Sequence, residues 1–76
     1  MATITHYEVD YTSVDDATNV QRIPAPGGRL QAMAIARRIS RKTGFAYVVA
    51  YADSQSIGHM PYSDGILDKA GIDGSV

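Results

Sequence analysis

From Thr3 to Ser13 the chain reads TITHYEVDYTS, with Tyr7, Val9 and Tyr11 at alternate positions and His6, Glu8 and Asp10 between them. A period of two with β-branched and aromatic content predicts a strand with one buried face. Residues 14–19, VDDATN, supply the Asp and Asn of a turn. Val20 to Ala25 is a short extended piece, and Pro24 and Pro26 make it an edge strand because proline gives the ladder no donor. These two strands are expected to pair as an antiparallel hairpin.

Pro26-Gly27-Gly28 breaks the chain, and a helix is predicted from about Arg29 to Thr43 in a run of good helix formers. Gly44 stands where a C-terminal cap is expected, and basic residues crowd the last turns, where they complement the negative end of the helix dipole. FAYVVAYAD, starting at Phe45, is the clearest strand in the chain. Asp53-Ser54-Gln55-Ser56 turns it back into Ile57–Tyr62, a weaker strand interrupted by Gly58 and Pro61. The remaining residues, 63–76, form a turn-rich tail with two Asp-Gly pairs, which Ile66, Leu67 and Ile72 would pin to the body. The expected architecture is a single α+β domain over residues 1–76, β-β-α-β-β, in two layers: an antiparallel sheet with one helix packed on one face.

At about 100° per residue, Ala32, Ile35, Ala36 and Ile39 gather on one side of the helix, with Met33 at the margin. Arg37, Arg38, Arg41 and Lys42 gather on the other side, so the basic residues make one contiguous stripe. Any amphipathic helix needs a polar outer face, and arginine is a good helix former. No acidic residue lies four positions before Arg37, Arg38 or Arg41, so the stripe is uncompensated on its own helix. Arginine's planar fork suits carboxylates or phosphates. Arg-Arg-Ile-Ser has the form of a basophilic-kinase target at Ser40, but Ser40 falls near the packed side of the wheel.

Both faces of the strand after the helix are apolar. Phe45, Tyr47, Val49 and Tyr51 occupy one, and Ala46, Val48, Ala50 and Ala52 the other. A half-exposed strand would not show this pattern. One helix covers one face, and the small residues suit close approach of an alanine-rich helix. The aromatic set would then lie on the opposite face, beside Tyr7 and Tyr11. It would be covered by the tail, by a second copy in a homodimer, or by a partner at a wet interface that tyrosine suits. If the helix packs on the aromatic side instead, the tyrosines are core.

Composition narrows the function classes. A chain of 76 residues buries only roughly 60% of its unfolded surface, and without cysteine it has neither disulfides nor a thiolate zinc site. His6 and His59 are too far apart in sequence to suggest a metal site. A cytoplasmic setting is the default expectation. The start, MATITHYEVD, lacks the basic and apolar regions of a signal peptide, and no apolar run approaches a membrane span. The net charge of −1 is unlike that of a dedicated DNA-binding module.

Catalytic motifs are missing from the sequence: there is no G-x-S-x-G, P-loop or H-E-x-x-H. Ala25-Pro26-Gly27-Gly28-Arg29 reads as a turn that starts the helix. Asp64, Asp68 and Asp73 lack EF-hand spacing. His59 could meet Asp53 across the last hairpin, where a histidine capped by a carboxylate is usually structural. No enzymatic activity, cofactor or metal is expected.

The pattern AxxIARRISRKTGFAYVVAYAD over residues 32–53, with the element order and size, resembles small accessory proteins of phages and mobile elements, anti-CRISPR proteins among them. The resemblance implies a non-catalytic inhibitor that blocks a host nuclease complex by surface contact, and it carries no site residues of its own. The near-neutral charge argues against a strong nucleic-acid mimic. The leading expectation is a module that binds a host protein or protein complex through Arg37, Arg38, Arg41, Lys42, Tyr47 and Tyr51. The alternative is a small nucleic-acid-binding domain in which the stripe meets phosphates and the tyrosines stack on bases.

Overall fold

The alternation at the start of the chain becomes β1, His6–Thr12, whose antiparallel partner is β2, Val20–Ala25. The structure, a computed structural model, describes residues 3–13, 15, 16 and 18–76. Of the turn expected at 14–19, Val14 and Ala17 lie outside the described residues. Within that turn the Asp16 carboxylate accepts from the Thr18 N–H at 3.1 Å and from its hydroxyl at 2.7 Å, the local bonding that makes Asp a turn residue.

Helix α1 spans Arg29–Thr43 and is followed by β3, Phe45–Ala52, and β4, Gln55–Ser63. The chain ends in β5, Ile66–Leu67, a 3₁₀ turn at Lys69–Gly71, and β6, Asp73–Gly74. The strands lie in the order β2-β1-β3-β4-β5, with β6 also on β4, and every pairing is antiparallel. β2 and β3 therefore run parallel on either side of β1. A connection between parallel strands must cross the sheet, and α1 is that crossover.

The helix stops as the sequence predicts. Gly44 adopts φ 94°, a left-handed cap that a side chain disfavours, and its N–H donates to the Ser40 carbonyl at 2.8 Å. At the other end, the Gln31 amide oxygen accepts from the Gly27 N–H at 2.6 Å. The helix is not long and apolar enough to cross a membrane.

Ala32, Ala36 and Ser40 form the innermost line of α1, flanked by the half-buried Met33, Ile35 and Ile39. Spacing of four keeps them on one face, and their small size lets the helix settle close to the sheet. Beneath lies a row of directly paired side chains, Val9, Val48 and Met60, one from each central strand. Ala46 and Tyr62 make the next row. Ser40 is fully buried with its hydroxyl satisfied. It donates to the Arg37 carbonyl at 3.1 Å and accepts from the Gly65 N–H at 2.8 Å, which ties the end of α1 to the turn before β5. That turn, Asp64-Gly65, has positive φ at both residues (51° and 85°), as a two-residue hairpin favours.

Two expectations are corrected by this architecture. Pro61 does not interrupt the fourth strand, which runs as one element over Gln55–Ser63, while its pairing with β3 shifts register at Ile57, beside Gly58. The Pro61 carbonyl accepts from the Asp68 N–H at 2.9 Å, on the side away from β3. In an antiparallel strand a residue's N and C=O point the same way, so the missing donor falls in the gap between β5 and β6. Pro61 therefore takes no donor from the ladder to β3. Gly58, for its part, admits the tail: a Cβ there would collide with the Ser75 backbone. Beyond β6 the chain crosses to the helix side, where Val76 joins the core margin and its carbonyl accepts from the Tyr7 hydroxyl at 2.9 Å.

The second correction concerns Tyr7 and Tyr11. Tyr7 pairs with Ala50 and Val9 with Val48, and directly paired residues share a face. These tyrosines therefore lie with the alanines under the helix, away from the aromatic set of β3. His6, Glu8 and Asp10 lie with the aromatics, opposite Tyr51, Val49 and Tyr47 respectively.

Candidate interaction face

The sheet face away from α1 carries an exposed aromatic ridge. Phe45 and Tyr47 keep 43% and 38% of their surface open. Phe45 meets Tyr47 edge-on with centroids 4.9 Å apart, and Tyr47 meets His59 edge-on at 5.7 Å. Edge-to-face packing is a favoured aromatic geometry, so the Tyr47 ring is braced from two sides. The tail does not cover this ridge. Of the residues expected to pin the tail, Leu67 packs against the core beneath the helix, but Ile66 and Ile72 are exposed. Asp73 and Gly74 reach the rim, and Gly71 lies against the buried Pro61, the cross-strand partner of Tyr47.

Tyr51 has a different fate from Tyr47. It is 8% exposed, roofed by the stacked His6 ring at 5.0 Å and by the Arg22 guanidinium at 5.4 Å from its centroid. Arg22 donates to the Tyr51 hydroxyl at 2.6 Å, and its Nη2 and Nε lie 2.8 and 3.0 Å from Oε2 of Glu8. Burial raises the Tyr51 hydroxyl's pKa, the Asp10 charge adds to that, and Arg22 opposes it. The Glu8 hydrogen bond, with the nearby Tyr51 and Glu8 charges, raises Arg22 further and keeps it cationic.

Asp10 sits between Arg22 on β2 and Tyr47 on β3. Its Oδ1 lies 3.9 Å from Arg22 Nε, too far for a hydrogen bond, and is buried without a partner. Burial raises the Asp10 pKa, Arg22 lowers it and Glu8 raises it again, with a net upward shift. The only other such orphan among the described residues is the Tyr62 hydroxyl, deep in the core.

Two grooves flank the Asp10–Tyr47 pair. The larger, about 510 Å³, runs over Val49 and the edge of Tyr51 to His59, with Asp73 on its wall. The smaller, about 110 Å³, lies toward Phe45 and Val20. His59 does not form the dyad considered with Asp53. Its cross-strand neighbour on β6 is Asp73, while Asp53 belongs to the tip of the β3–β4 turn.

The basic stripe is on the other side of the molecule. Arg37, Arg38, Arg41 and Lys42 are exposed on the outer surface of α1, and no ion pair engages them among the described residues. Arg38 and Lys42 border a trough of about 400 Å³ floored by Tyr11, Ile23, Ile35 and Ile39. Arg41 lies instead over the turn at Gly65. The six residues singled out from sequence thus fall on two opposite surfaces.

His6, Glu8, Asp10 and Arg22 escaped sequence reasoning as site residues. The alternation of β1 carried the signal, since its polar set had to share a face with something. Only strand register shows that the something is the aromatic set of β3. No protein family, curated protein or solved structure matches the chain.

Proposed function

We propose that this chain is a non-catalytic protein-binding module that docks a partner through the open face of its sheet. The observation that carries the reading is the half-exposed ridge of Phe45 and Tyr47 between the two grooves, on the sheet face away from α1. Aromatic side chains bury large area with few torsions to freeze, which is why tyrosine is enriched at protein interfaces. With the resemblance to phage accessory proteins, the fuller form of this proposal is an inhibitor of the anti-CRISPR kind that blocks a host complex by surface contact.

The test is affinity capture from host lysate with the wild-type chain, Tyr47→Ala and the double variant Arg37→Ser/Arg41→Ser. A specific protein retained by the wild type and the double variant, but lost with Tyr47→Ala, supports the sheet face. Retention that ignores Tyr47 overturns it. A homodimer through the same face would be seen by light scattering as a concentration-dependent doubling of mass that Tyr47→Ala abolishes.

A second reading, nucleic-acid binding, is favoured by the exposed cations of α1 that have no ion-pair partner among the described residues. A strand gripping that stripe would not reach the tyrosines on the far side of the sheet, and Glu8 and Asp10 beside them repel phosphate. Binding to oligonucleotides that falls steeply between low and moderate salt would favour this reading. Absence of binding at low salt would remove it.

A further inference from the structure

The open face already contains one bound guanidinium, that of its own Arg22. It lies over the Tyr51 ring, donates to the Tyr51 hydroxyl and pairs with Glu8. One aromatic ring and one carboxylate, side by side across β1 and β3, make that seat.

Asp10 and Tyr47 bring the same two residue types together further along these strands, here as direct cross-strand partners, whereas Glu8 and Tyr51 are diagonal neighbours. Here the cation is missing. Arg22 is engaged with Glu8 and leaves Asp10 beyond hydrogen-bonding distance, at 3.9 Å. Asp10 Oδ1 is buried with no donor, while the side chain keeps 22% of its surface open. The torsion that turns a carboxylate is soft, so the group can present either oxygen to the groove. A second carboxylate, Asp73, is on the groove wall, and among the described residues no lysine or arginine lines the groove.

We propose that the larger groove receives an arginine side chain of a protein partner, its guanidinium stacked on Tyr47 and donating to the Asp10 carboxylate. This rests on the reading of the open face as protein-binding and names the chemistry of the partner at its centre. A guanidinium fits better than an ammonium. It is planar and weakly hydrated, it stacks on aromatic rings, and its fork matches a carboxylate. Arginine is also enriched among the residues that dominate interface energetics. Burial already holds the Asp10 carboxylate at a cost when charged, and an incoming cation would offset that cost.

The test is an NMR titration of the whole chain with three capped tripeptides: Gly-Arg-Gly, Gly-Lys-Gly, and Gly-citrulline-Gly, whose side chain has nearly the same shape as arginine's without its charge. Gly-Arg-Gly is expected to shift the resonances of Asp10, Tyr47 and His59, with the lysine peptide weaker and the citrulline peptide weakest. Asp10→Asn is expected to weaken Gly-Arg-Gly binding by about tenfold, the size of one charge-assisted hydrogen bond. Tyr47→Leu, which keeps apolar area and removes the ring, should weaken it in the same direction. Equal shifts with the arginine and citrulline peptides, or unchanged binding by a folded Asp10→Asn chain, would overturn the proposal.

If the arginine peptide fails while partner capture still depends on Tyr47, the cation seat is wrong and the protein-binding reading stands. Capture that is indifferent to Tyr47 sinks the partner assignment even when the peptide binds. Self-association that disappears in Arg37→Ser/Arg41→Ser would also overturn the proposal, by giving the groove to a second copy of this chain.

Discussion

The two faces of this sheet use the same residue types for opposite ends. Under α1, tyrosine and methionine are sealed: Tyr62 and Met60 are almost fully buried beneath a helix floor of alanine and serine. On the other face Tyr47 stands half exposed, braced edge-on by Phe45 and His59. Area removed from water stabilises the first face. The second keeps its area in water. Exposed aromatic surface of this kind is where a binding function is sought.

The largest expected effect would break this contrast. Tyr62→Ala removes a fully buried ring and is expected to cost about 3–5 kcal/mol, a large part of the stability of a small domain. Tyr47→Ala is expected to cost less than about 1 kcal/mol, as for most surface positions. Urea denaturation of both variants measures the difference. Equal losses would mean that the open face is as structural as the covered one.

Gly58→Ala sharpens the contrast at the sheet edge. The new methyl would meet the Ser75 backbone, a rigid neighbour, so the tail must move. The expected loss is about 1–3 kcal/mol, accompanied by release of the Tyr7–Val76 hydrogen bond. Faster amide exchange at Ser75, which donates to the Ile57 carbonyl, would report it.

The smallest effect is electrostatic. Burial raises the Asp10 pKa above its ordinary value. In the window between the two, the folded chain holds a proton that the unfolded chain has released. Linkage then requires stability to fall as pH rises through that window, leaving Asp10 mildly destabilising at neutral pH. Asp16, lowered by its bonds to Thr18, contributes with the opposite sign, so the informative quantity is the difference between wild type and Asp10→Asn. The variant is expected to be the more stable at neutral pH and to lose its advantage in acid. Thermal melts across that range check it. Because the same substitution should weaken binding of an arginine peptide, stability and recognition would move in opposite directions, a common feature of functional sites.

Much of this fold was legible in the sequence. Helix α1 has the bounds that its run of helix formers and the flanking glycines predict, because propensity and capping are local properties. The two apolar faces of β3 were legible too, since alternation is intrinsic to an extended chain. So was the outward stripe of Arg37, Arg38, Arg41 and Lys42, which the helical period requires.

Register and packing decided the rest. Period two sorts residues within one strand but does not say which face of a neighbour they join, and a shift of one residue exchanges the faces. The structure pairs Asp10 with Tyr47 and sends Tyr7 beneath the helix. It also separates the two tyrosines of β3, closing Tyr51 under His6 and Arg22 and leaving Tyr47 open. The sequence by itself determined the first four strands, α1 and their two-sidedness, because these follow from neighbours along the chain. Local pattern reads the tail as turns and misses β5, β6 and the 3₁₀ turn, which form only on contact with β4. Only the tertiary structure decided which carboxylate meets which ring, because that contact joins residues brought together by long-range strand pairing.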